Sequence, residues 1–431
     1  MKKSLDQKLA AIHADPSGAR DFIIADAKDA DMAFGIGAPG HSPESHAGEL
    51  RFRTLGEYRE QIRQVIRQGK VDIMLMSAST NYVLTIRERL FANSHVTPAA
   101  RANDTTDIFV VRGNNYVTEP SRPFRTAALD HIQCGHVDCA PDERTLGANL
   151  GLYSVTFNNR LDQDLAALEA YREFRLEAEQ KGFRHFLEVF DPNAPVDLEG
   201  AEIGKFVNDS IARTLAGVAG PGRPVFLKVV YHGPKAMEEL VAYDPHLVVG
   251  ILGGGAGTTY DAFKLIAEAQ KYGARVALFG RKINNAENQL AFIEFLRLIV
   301  DGVISPEDAV RAYHGTLQKL GVRPRRSLDD DLRLETSVMS YSGSSVSLPR
   351  AVGQPAKAKP AAAAGGHDCA CKSKPKPAEA KKGDGCSCHG PQKSASHNHP
   401  ETTPSTPDFS KMTQAEKLAY NKAKRDRIFG G

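Results

Sequence analysis

Lys228 lies in the middle of an apolar stretch, Pro224–Gly233, whose composition is typical of a buried parallel strand. Burial removes water from an amine, and this disfavours its charged form. A neutral amine in a dry pocket attacks carbonyl groups and forms Schiff bases. The alternative is an interior salt bridge, because buried lysines are rarely unpaired. The strand alone therefore predicts either a Schiff-base lysine or one half of an ion pair.

Carboxylates near the ends of other strands are candidate partners for this amine. Glu188 lies on the preceding strand, so Glu188 and Lys228 could face the same pocket. A Schiff-base enzyme needs such a group, because a carbinolamine must lose water and protons must move at carbon. A plain Glu–Lys ion pair that fills the interior is the competing interpretation. Asp26 and Lys28 share one face of the first strand and are further candidates for the pocket.

Two loops near the end of the strand pattern predict an anion site. Gly253–Thr259 is glycine-rich and opens a helix, and the next strand ends in Gly280-Arg281-Lys282. Backbone N–H groups and a helix dipole attract anions, although glycines also serve plain turns. Lys282 is a rival reactive amine, but phosphate binding is the favoured role for it. We therefore expect these loops to hold a phosphate group.

Cysteine and histidine cluster twice in the chain. The first cluster is His131, Cys134, His136 and Cys139, for which a loop of buried thiols and surface histidines is favoured over a metal site. The second lies in 367–399, where Cys-x-Cys pairs lack the stronger Cys-x2-Cys zinc spacing and a solvated tether is favoured. We predict no metal and no cofactor.

Short apolar strands alternate with helical segments eight times, which predicts a (β/α)8 TIM barrel. A doubly wound sheet would need fewer strands and a glycine fingerprint after the first one, which here is followed by Ala27-Lys28-Asp29. The predicted strands are Asp21–Lys28, Val71–Ser77, Thr126–Gln133, Leu152–Phe157, Arg184–Phe190, Pro224–Gly233, His246–Leu252 and Ala274–Phe279. Between 95 and 125 we expect irregular chain with a hairpin at Asp107–Val111.

The chain divides by composition into a barrel domain over 1–326, a disordered linker over 327–406 rich in Pro, Ala, Lys and Gly, and a terminal amphipathic helix over 407–431. Thr413 and Glu416 form a capping-box pattern at the start of this helix. The helix is too short to be stable alone, so we expect it to dock on a partner. A linker followed by such a helix resembles cargo-docking peptides that direct enzymes into bacterial microcompartments.

Composition sets further limits. The 431 residues are 41% hydrophobic and 25% charged with a formal net charge of +3, which does not favour nucleic acid as a partner. No apolar run approaches the roughly 20 residues that a membrane span needs, and the first residues do not form a secretory signal. Six cysteines in so long a chain predict a cytoplasmic protein rather than a disulfide scaffold. A homo-oligomer is expected.

The motif Phe186-Leu187-Glu188, the Leu227-Lys228-Val229 strand, the glycines after strand seven and Gly280-Arg281 together resemble class I Schiff-base aldolases of the deoxyribose-phosphate/fructose-bisphosphate aldolase superfamily. The pattern is most similar to tagatose-1,6-bisphosphate aldolase and covers about residues 20–300. The chain departs from archaeal fructose-bisphosphate aldolases in having Val189-Phe190-Asp191 where those enzymes have a proton-donating tyrosine.

The resemblance implies Lys228 as the Schiff-base lysine, Glu188 as the acid/base group and Asp26 as a carboxylate near the substrate carbonyl carbon. The implied phosphate ligands are Gly254, Gly255, Gly280 and Arg281. Apart from the resemblance, Lys28, Arg125 and His131 are further candidate substrate contacts. The expected function is cleavage or formation of a carbon–carbon bond in a phosphorylated sugar. Two alternatives stay open: a barrel isomerase or lyase with Glu188 as its base and no Schiff base, and a non-catalytic barrel scaffold with a partner-binding tail.

Overall fold

The computed structural model describes residues 1–46, 49–198, 201–255, 257–336 and, near the C-terminus, 413, 415, 416, 419, 420 and 423. Eight parallel strands close into a barrel, so the predicted (β/α)8 fold is confirmed. In chain order the strands are β1 Ile23–Lys28, β2 Ile73–Met76, β3 Thr97–Arg101, β4 Leu150–Thr156, β5 Arg184–Phe190, β6 Leu227–Val229, β7 Val249–Leu252 and β8 Val276–Phe279. Strand β1 pairs with both β2 and β8, which closes the cylinder.

The third strand differs from its prediction. Residues Thr97–Arg101 pair with β2 and β4, whereas Leu129–Gln133, expected to be a strand, form a short helix. Leu129 and Ile132 are three residues apart and fully buried, which is helical spacing. Strand β3 reads Thr-Pro-Ala-Ala-Arg, and its proline and alanines give little strand signal.

Helices cover the outside of the barrel. The longer ones are α1 Ser4–Ala14, α2 Leu55–Gln68, α3 Leu161–Gln180, α4 Ala201–Leu215, α5 Pro234–Tyr243, α6 Thr259–Lys271, α7 Gln289–Val300 and α8 Pro306–Lys319. Shorter helical segments are Asp31–Phe34, Gly35–Gly37, Ala78–Asn81, Tyr82–Arg87, Tyr116–Thr118, Leu129–Gln133, Glu143–Thr145, Gly220–Gly222, Arg281–Asn284 and Leu328–Asp331. Helix α1 differs from the others, because its Leu5, Leu9 and Ile12 pack with side chains of the barrel interior.

Alternation along the strands separates two apolar layers. The interior layer contains Ala25 and Ala27 of β1, Phe186 of β5 and Phe226, which directly precedes β6. Ile24 belongs instead to the layer between strands and helices. The parity of each strand residue therefore decides whether its side chain reaches the barrel interior.

Two hairpins add to the barrel. Strand His41–His46 pairs with Glu49–Phe52 in the loop after β1. Asp104–Thr105 pairs with Pro123–Phe124, so the two strands of this second ribbon lie farther apart in sequence than the hairpin expected at Asp107–Val111. Both insertions follow strands at their carboxyl ends, where they border the site described below.

Residues 327–336, expected to begin the linker, contact the barrel. Asp331 accepts a hydrogen bond from Thr259 N at 2.7 Å, and Asp261 accepts one from Glu335 N at 3.1 Å. The rest of the predicted linker, 337–406, lies outside the described residues. At the terminal helix, Glu416 accepts from Thr413 N at 2.8 Å, as the capping-box pattern predicts. None of the described helices is long and apolar enough to cross a bilayer.

Candidate active site

Lys228 and Glu188 face each other across neighbouring strands. The register of β5 and β6 places the two residues side by side, and Lys228 Nζ lies 2.5 Å from Glu188 Oε1. Their strand neighbours Leu187 and Val229 pack in the outer layer, so both charged side chains point into the barrel. The residues are 7% and 1% exposed, which leaves the amine as the more accessible partner.

The second oxygen of Glu188 is held by β4. Ser154 Oγ donates to Glu188 Oε2 at 2.7 Å, and Arg101 Nη2 lies 3.6 Å from the same oxygen. Arg101 also donates from Nε to Asp29 Oδ2 at 2.6 Å and from Nη1 to Ser154 Oγ at 3.1 Å. These contacts connect Lys228 to Asp29 through one continuous polar network.

Arg101 keeps its charge in this buried position. Burial alone would lower the pKa of Arg101, but the carboxylates of Asp29 and Glu188 raise it above its ordinary value. Sequence reasoning missed this residue, because Arg101 ends the strand that was assigned to an irregular segment. Its guanidinium fixes two carboxylates at once through planar, directional donors.

Asp26 and Lys28, both expected in the pocket, are on the other side of the barrel wall. They share the parity of Ile24, which packs in the outer layer, and both are fully buried. Their charged groups pair with each other at 3.2 Å. Burial raises the pKa of Asp26 to about 6 even though the Lys28 ammonium opposes this, and burial lowers the pKa of Lys28. The prediction of these two residues as site groups is therefore corrected to a structural ion pair.

Asp29 lies at the place in the pocket that was predicted for Asp26. It follows β1 with the parity of Ala25 and Ala27, which face the interior, and it borders the same cavity as Glu188 and Lys228. The sequence signal for this was the pair of small residues Ala25 and Ala27, which leave room at the barrel axis, but the charged residues Asp26 and Lys28 on the opposite face favoured that face for the pocket.

The cavity has a volume of about 160 Å³ and opens at the carboxyl ends of the strands. Its polar wall consists of Asp29, Arg101, Asp107, Glu188, Lys228 and Arg281. Its apolar wall includes Phe34, Ile108, Val110 and Leu252. A second cavity of about 330 Å³ adjoins it and shares Phe34, Gly280 and Arg281. The arrangement leaves space beside the Lys228 amine for a small carbonyl compound.

Three of the four predicted phosphate ligands border the cavity: Gly254, Gly280 and Arg281. Gly255 instead packs beside Arg281, since a Cβ built on it would lie 3.2 Å from the Arg281 Cβ. A Cβ on Gly280 would lie 2.7 Å from the carbonyl oxygen of Ala27, so only glycine fits there. Burial lowers the pKa of Arg281, and the Glu188 carboxylate opposes that effect.

The N-terminus of α6 is not open to a substrate anion, contrary to expectation. Asp261 accepts from Thr258 N at 2.7 Å, and Asp331 accepts from Thr259 N at 2.7 Å. Two carboxylates of the chain itself therefore occupy the place that was predicted for a phosphate. What remains for an anion is the cavity wall at Gly254, Gly280 and Arg281.

Arg125, His131 and Lys282 do not border the cavity. Arg125 is exposed and pairs with Glu177 of α3 at 2.6 Å. His131 is exposed on the short helix Leu129–Gln133, on the outer side of the barrel. Lys282 Nζ donates to Gly257 O at 2.5 Å, and burial lowers its pKa to about 8. Arg125 and His131 are therefore not supported as substrate contacts.

Comparison with known proteins finds no matching family model and no matching curated sequence. Solved structures similar to the chain include a Schiff-base-forming fructose-1,6-bisphosphate aldolase, with 16% identity over 69% of this chain and 100% of the other and a TM-score of 0.47. An archaeal fructose-1,6-bisphosphate aldolase with its catalytic lysine bound to a carbinolamine is 17% identical. The match covers 68% of this chain and 99% of the other, with a TM-score of 0.47. Orotidine 5'-phosphate decarboxylase from Pyrococcus horikoshii is 12% identical. The match covers 65% of this chain and 100% of the other, with a TM-score of 0.36. Likenesses this distant carry no argument about activity or about tagatose-bisphosphate specificity.

Proposed function

We propose that the protein is a class I aldolase that forms a Schiff base at Lys228 and acts on a phosphorylated sugar. The observation that carries the proposal is the 2.5 Å contact between Lys228 Nζ and Glu188 Oε1 beside an open cavity. A carboxylate oxygen at this distance can take a proton from the ammonium, which gives the nucleophilic amine, and can return that proton later. A purely structural ion pair would not need a cavity next to the nitrogen.

The first half of the reaction is formation of the iminium. Glu188 takes a proton from the Lys228 ammonium, and the free amine adds to the substrate carbonyl carbon to give a carbinolamine. Glu188 then gives that proton to the carbinolamine hydroxyl, and water leaves. Ser154 and Arg101 hold the second oxygen of Glu188, so the first oxygen keeps its direction towards the nitrogen.

The second half is carbon–carbon cleavage. The positive iminium nitrogen draws the electron pair of the neighbouring bond, while a base removes the proton of the hydroxyl on the leaving carbon. An aldehyde departs and an enamine remains, which is protonated at carbon and then hydrolysed to free the amine. Asp29 is our candidate for the base, because it borders the cavity and Arg101 holds it at 2.6 Å. The reverse order of steps forms the bond.

Arg281 and the backbone at Gly254 and Gly280 would hold the phosphate group. Arginine offers a planar set of donors that matches phosphate oxygens. Lys228 and Arg281 border one cavity, so a phosphate held at Arg281 places the carbonyl of the same molecule near the amine.

Reductive trapping tests this proposal. The full chain is incubated with a panel of ketose and aldose phosphates, reduced with borohydride and digested, and the peptides are weighed by mass spectrometry. We expect a stable secondary amine on the Lys228 peptide, absent from K228M and retained in K282M, the matched control for a second lysine near the cavity. Circular dichroism verifies that both variants fold.

Other outcomes separate the alternatives. Turnover of a sugar phosphate without an adduct would favour an isomerase or lyase that uses Glu188 as its base. An adduct on Lys282 in place of Lys228 would identify Lys282 as the nucleophile. Absence of both adduct and turnover across the panel would reject the aldolase and favour a binding scaffold.

A further inference from the structure

A ten-residue loop from Cys134 to Glu143, outside the candidate active site, gathers four potential metal ligands. Cys134 and Cys139 are joined by a disulfide, where the sequence had favoured buried thiols. A sulfur of this pair, a ring nitrogen of His136 and a carboxylate oxygen of Glu143 all lie within 4.8 Å of one another. His131, the fourth residue of the sequence cluster, is outside this group.

The histidine and the glutamate are already oriented as ligands. His136 Nδ1 donates to the carbonyl oxygen of Val137 at 2.8 Å, so Nε2 is the ring nitrogen that faces Glu143. Glu143 receives a hydrogen bond from Ala140 N at 3.0 Å on one carboxylate oxygen, and its other oxygen faces His136 Nε2 at 3.3 Å. Metal-binding histidines and carboxylates are typically held by partners of this kind.

The distance between these two atoms fits a tetrahedral cation. With zinc–nitrogen and zinc–oxygen bonds of about 2.0–2.1 Å, two ligands of a tetrahedron lie roughly 3.4 Å apart. The observed separation of His136 Nε2 and Glu143 Oε1 is 3.3 Å. An ordinary ion pair would satisfy this distance as well, so the Cys134 sulfur, within 4.8 Å of a ligand atom of each residue, is the additional observation that points to a metal.

The backbone of the loop is held in a costly conformation. Asp138 has a left-handed φ of 58°, and its N–H donates to Asp130 Oδ2 at 3.1 Å. Gly135 has φ 91°, and a Cβ there would lie 2.8 Å from the ring of Tyr82. A left-handed conformation costs most non-glycine residues about 1–2 kcal/mol, and aspartate tolerates it better than most because its side chain can hydrogen-bond locally. The disulfide and these two turns constrain the loop that carries His136 and Glu143.

We propose that the reduced loop binds one divalent cation of the zinc class through Cys134, His136, Cys139 and Glu143, and that the disulfide is its oxidised, metal-free form. A small dithiol supplies two electrons and two protons to the sulfur–sulfur bond and itself becomes a disulfide. The cation then displaces one proton from each thiol. The sulfurs must separate to roughly 3.8 Å, which side-chain rotation can supply. The site does not depend on the aldolase proposal.

Cobalt(II) is the probe for this site. The full chain has six cysteines, so Cys369, Cys371, Cys386 and Cys388 are first replaced by serine to leave only the loop pair. After reduction with a phosphine under anaerobic conditions, we expect one equivalent of cobalt with thiolate charge-transfer bands and tetrahedral d–d bands. Zinc should displace it, and the unreduced protein should give no such bands. The thiolate bands distinguish this site from histidines elsewhere in the chain.

Variants decide between a four-ligand site and a structural disulfide. C134S/C139S should abolish the bands, and H136A and E143Q should each weaken cobalt affinity at least tenfold while both sulfurs remain. A reduced, folded protein without thiolate bands would overturn the proposal and leave a purely structural disulfide. Bands of unchanged affinity in H136A and E143Q would also overturn it, because the sulfurs alone would then hold the metal.

Discussion

Asp26 and Asp29 are three residues apart at the end of β1 and face opposite sides of the barrel wall. Asp26 is fully buried against Lys28 at 3.2 Å in the layer beneath the helices. Asp29 is bound by Arg101 at 2.6 Å and borders the cavity that contains the Lys228 amine. Because successive strand residues alternate between faces, only Asp29 can take part in chemistry at Lys228.

Replacement of Asp29 therefore tests the catalytic assignment. General acid–base groups contribute about 10²- to 10⁴-fold to rates, so D29N should lower kcat by roughly that factor. The adduct at Lys228 should still form in D29N, because the proposed mechanism gives that step to Glu188. Steady-state kinetics and borohydride trapping measure the two effects separately. Normal turnover in D29N would remove Asp29 from the mechanism.

The matched control at Asp26 should change stability instead. D26N leaves the buried Lys28 ammonium without its partner, and loss of one partner of a buried pair costs about 3–5 kcal/mol. The double variant D26N/K28M should recover much of that loss, because no buried charge remains. Urea unfolding measures both. A D26N protein of normal stability but greatly reduced kcat would contradict the assignment of this pair to the outer layer.

The barrel and its central ion pair could be predicted from sequence for a physical reason. Strands such as Arg184–Phe190 carry strong β-forming side chains between turn residues, and parallel neighbours bring Glu188 beside Lys228. Alternation then gives these two side chains the same direction. The prediction of this pair required only the order of the strands and the position of two charged residues within them.

The rest of the site depended on information that local patterns lack. Both faces of β1 are buried, and its charged residues Asp26 and Lys28 lie on the outer face, so the local pattern favoured Asp26 rather than Asp29 for the pocket. Arg101 ends a strand whose proline and alanines gave little signal. The carboxylate of Asp331 reaches the start of α6 from more than 70 residues away in sequence, a contact that only the fold reveals.

Ser154 is predicted to act as a positioning residue for Glu188. S154A removes the 2.7 Å hydrogen bond to Glu188 Oε2. A hydrogen bond to a charged group is worth about 1.5–3 kcal/mol, so kcat should fall roughly tenfold or more while KM changes little. T214V is the control, since the Thr214 hydroxyl of α4 donates to the backbone oxygen of Ser210, away from the cavity. A rise in KM with an unchanged kcat in S154A would indicate a substrate contact instead.

Arg281 should determine the preference for phosphorylated substrates. R281M removes the guanidinium that we propose binds the phosphate, and the loss of charge-assisted hydrogen bonds should raise KM for a sugar phosphate about 10- to 100-fold. The kcat/KM for the unphosphorylated sugar should fall little. The measurement is therefore the ratio of the kcat/KM values for the two substrates. K282M serves as the control, because Lys282 lies outside the cavity lining and donates to Gly257 O. Equal losses for both substrates would mean that Arg281 does not bind phosphate.

We expect the free energy of unfolding to decrease in mild acid because of His185. It lies on β5 against α3, where the Tyr171 hydroxyl contacts its Nε2 at 2.8 Å. Burial, together with the positive charge of Arg175, lowers the pKa of His185 to about 3. Between pH 6.5 and 3 the unfolded chain binds a proton that the folded chain does not, so stability is lost as the pH falls through this range.

The non-titrating variant H185Q isolates this contribution. Wild type should be the more stable protein at pH 7, and the difference in the free energy of unfolding should shrink by about 1.4 kcal/mol per pH unit below pH 6.5, or roughly 3 kcal/mol by pH 4. Urea unfolding of both proteins at pH 7, 5.5 and 4 measures the gap. A constant gap across that range would show that the imidazole at position 185 is protonated equally in the folded and unfolded chains.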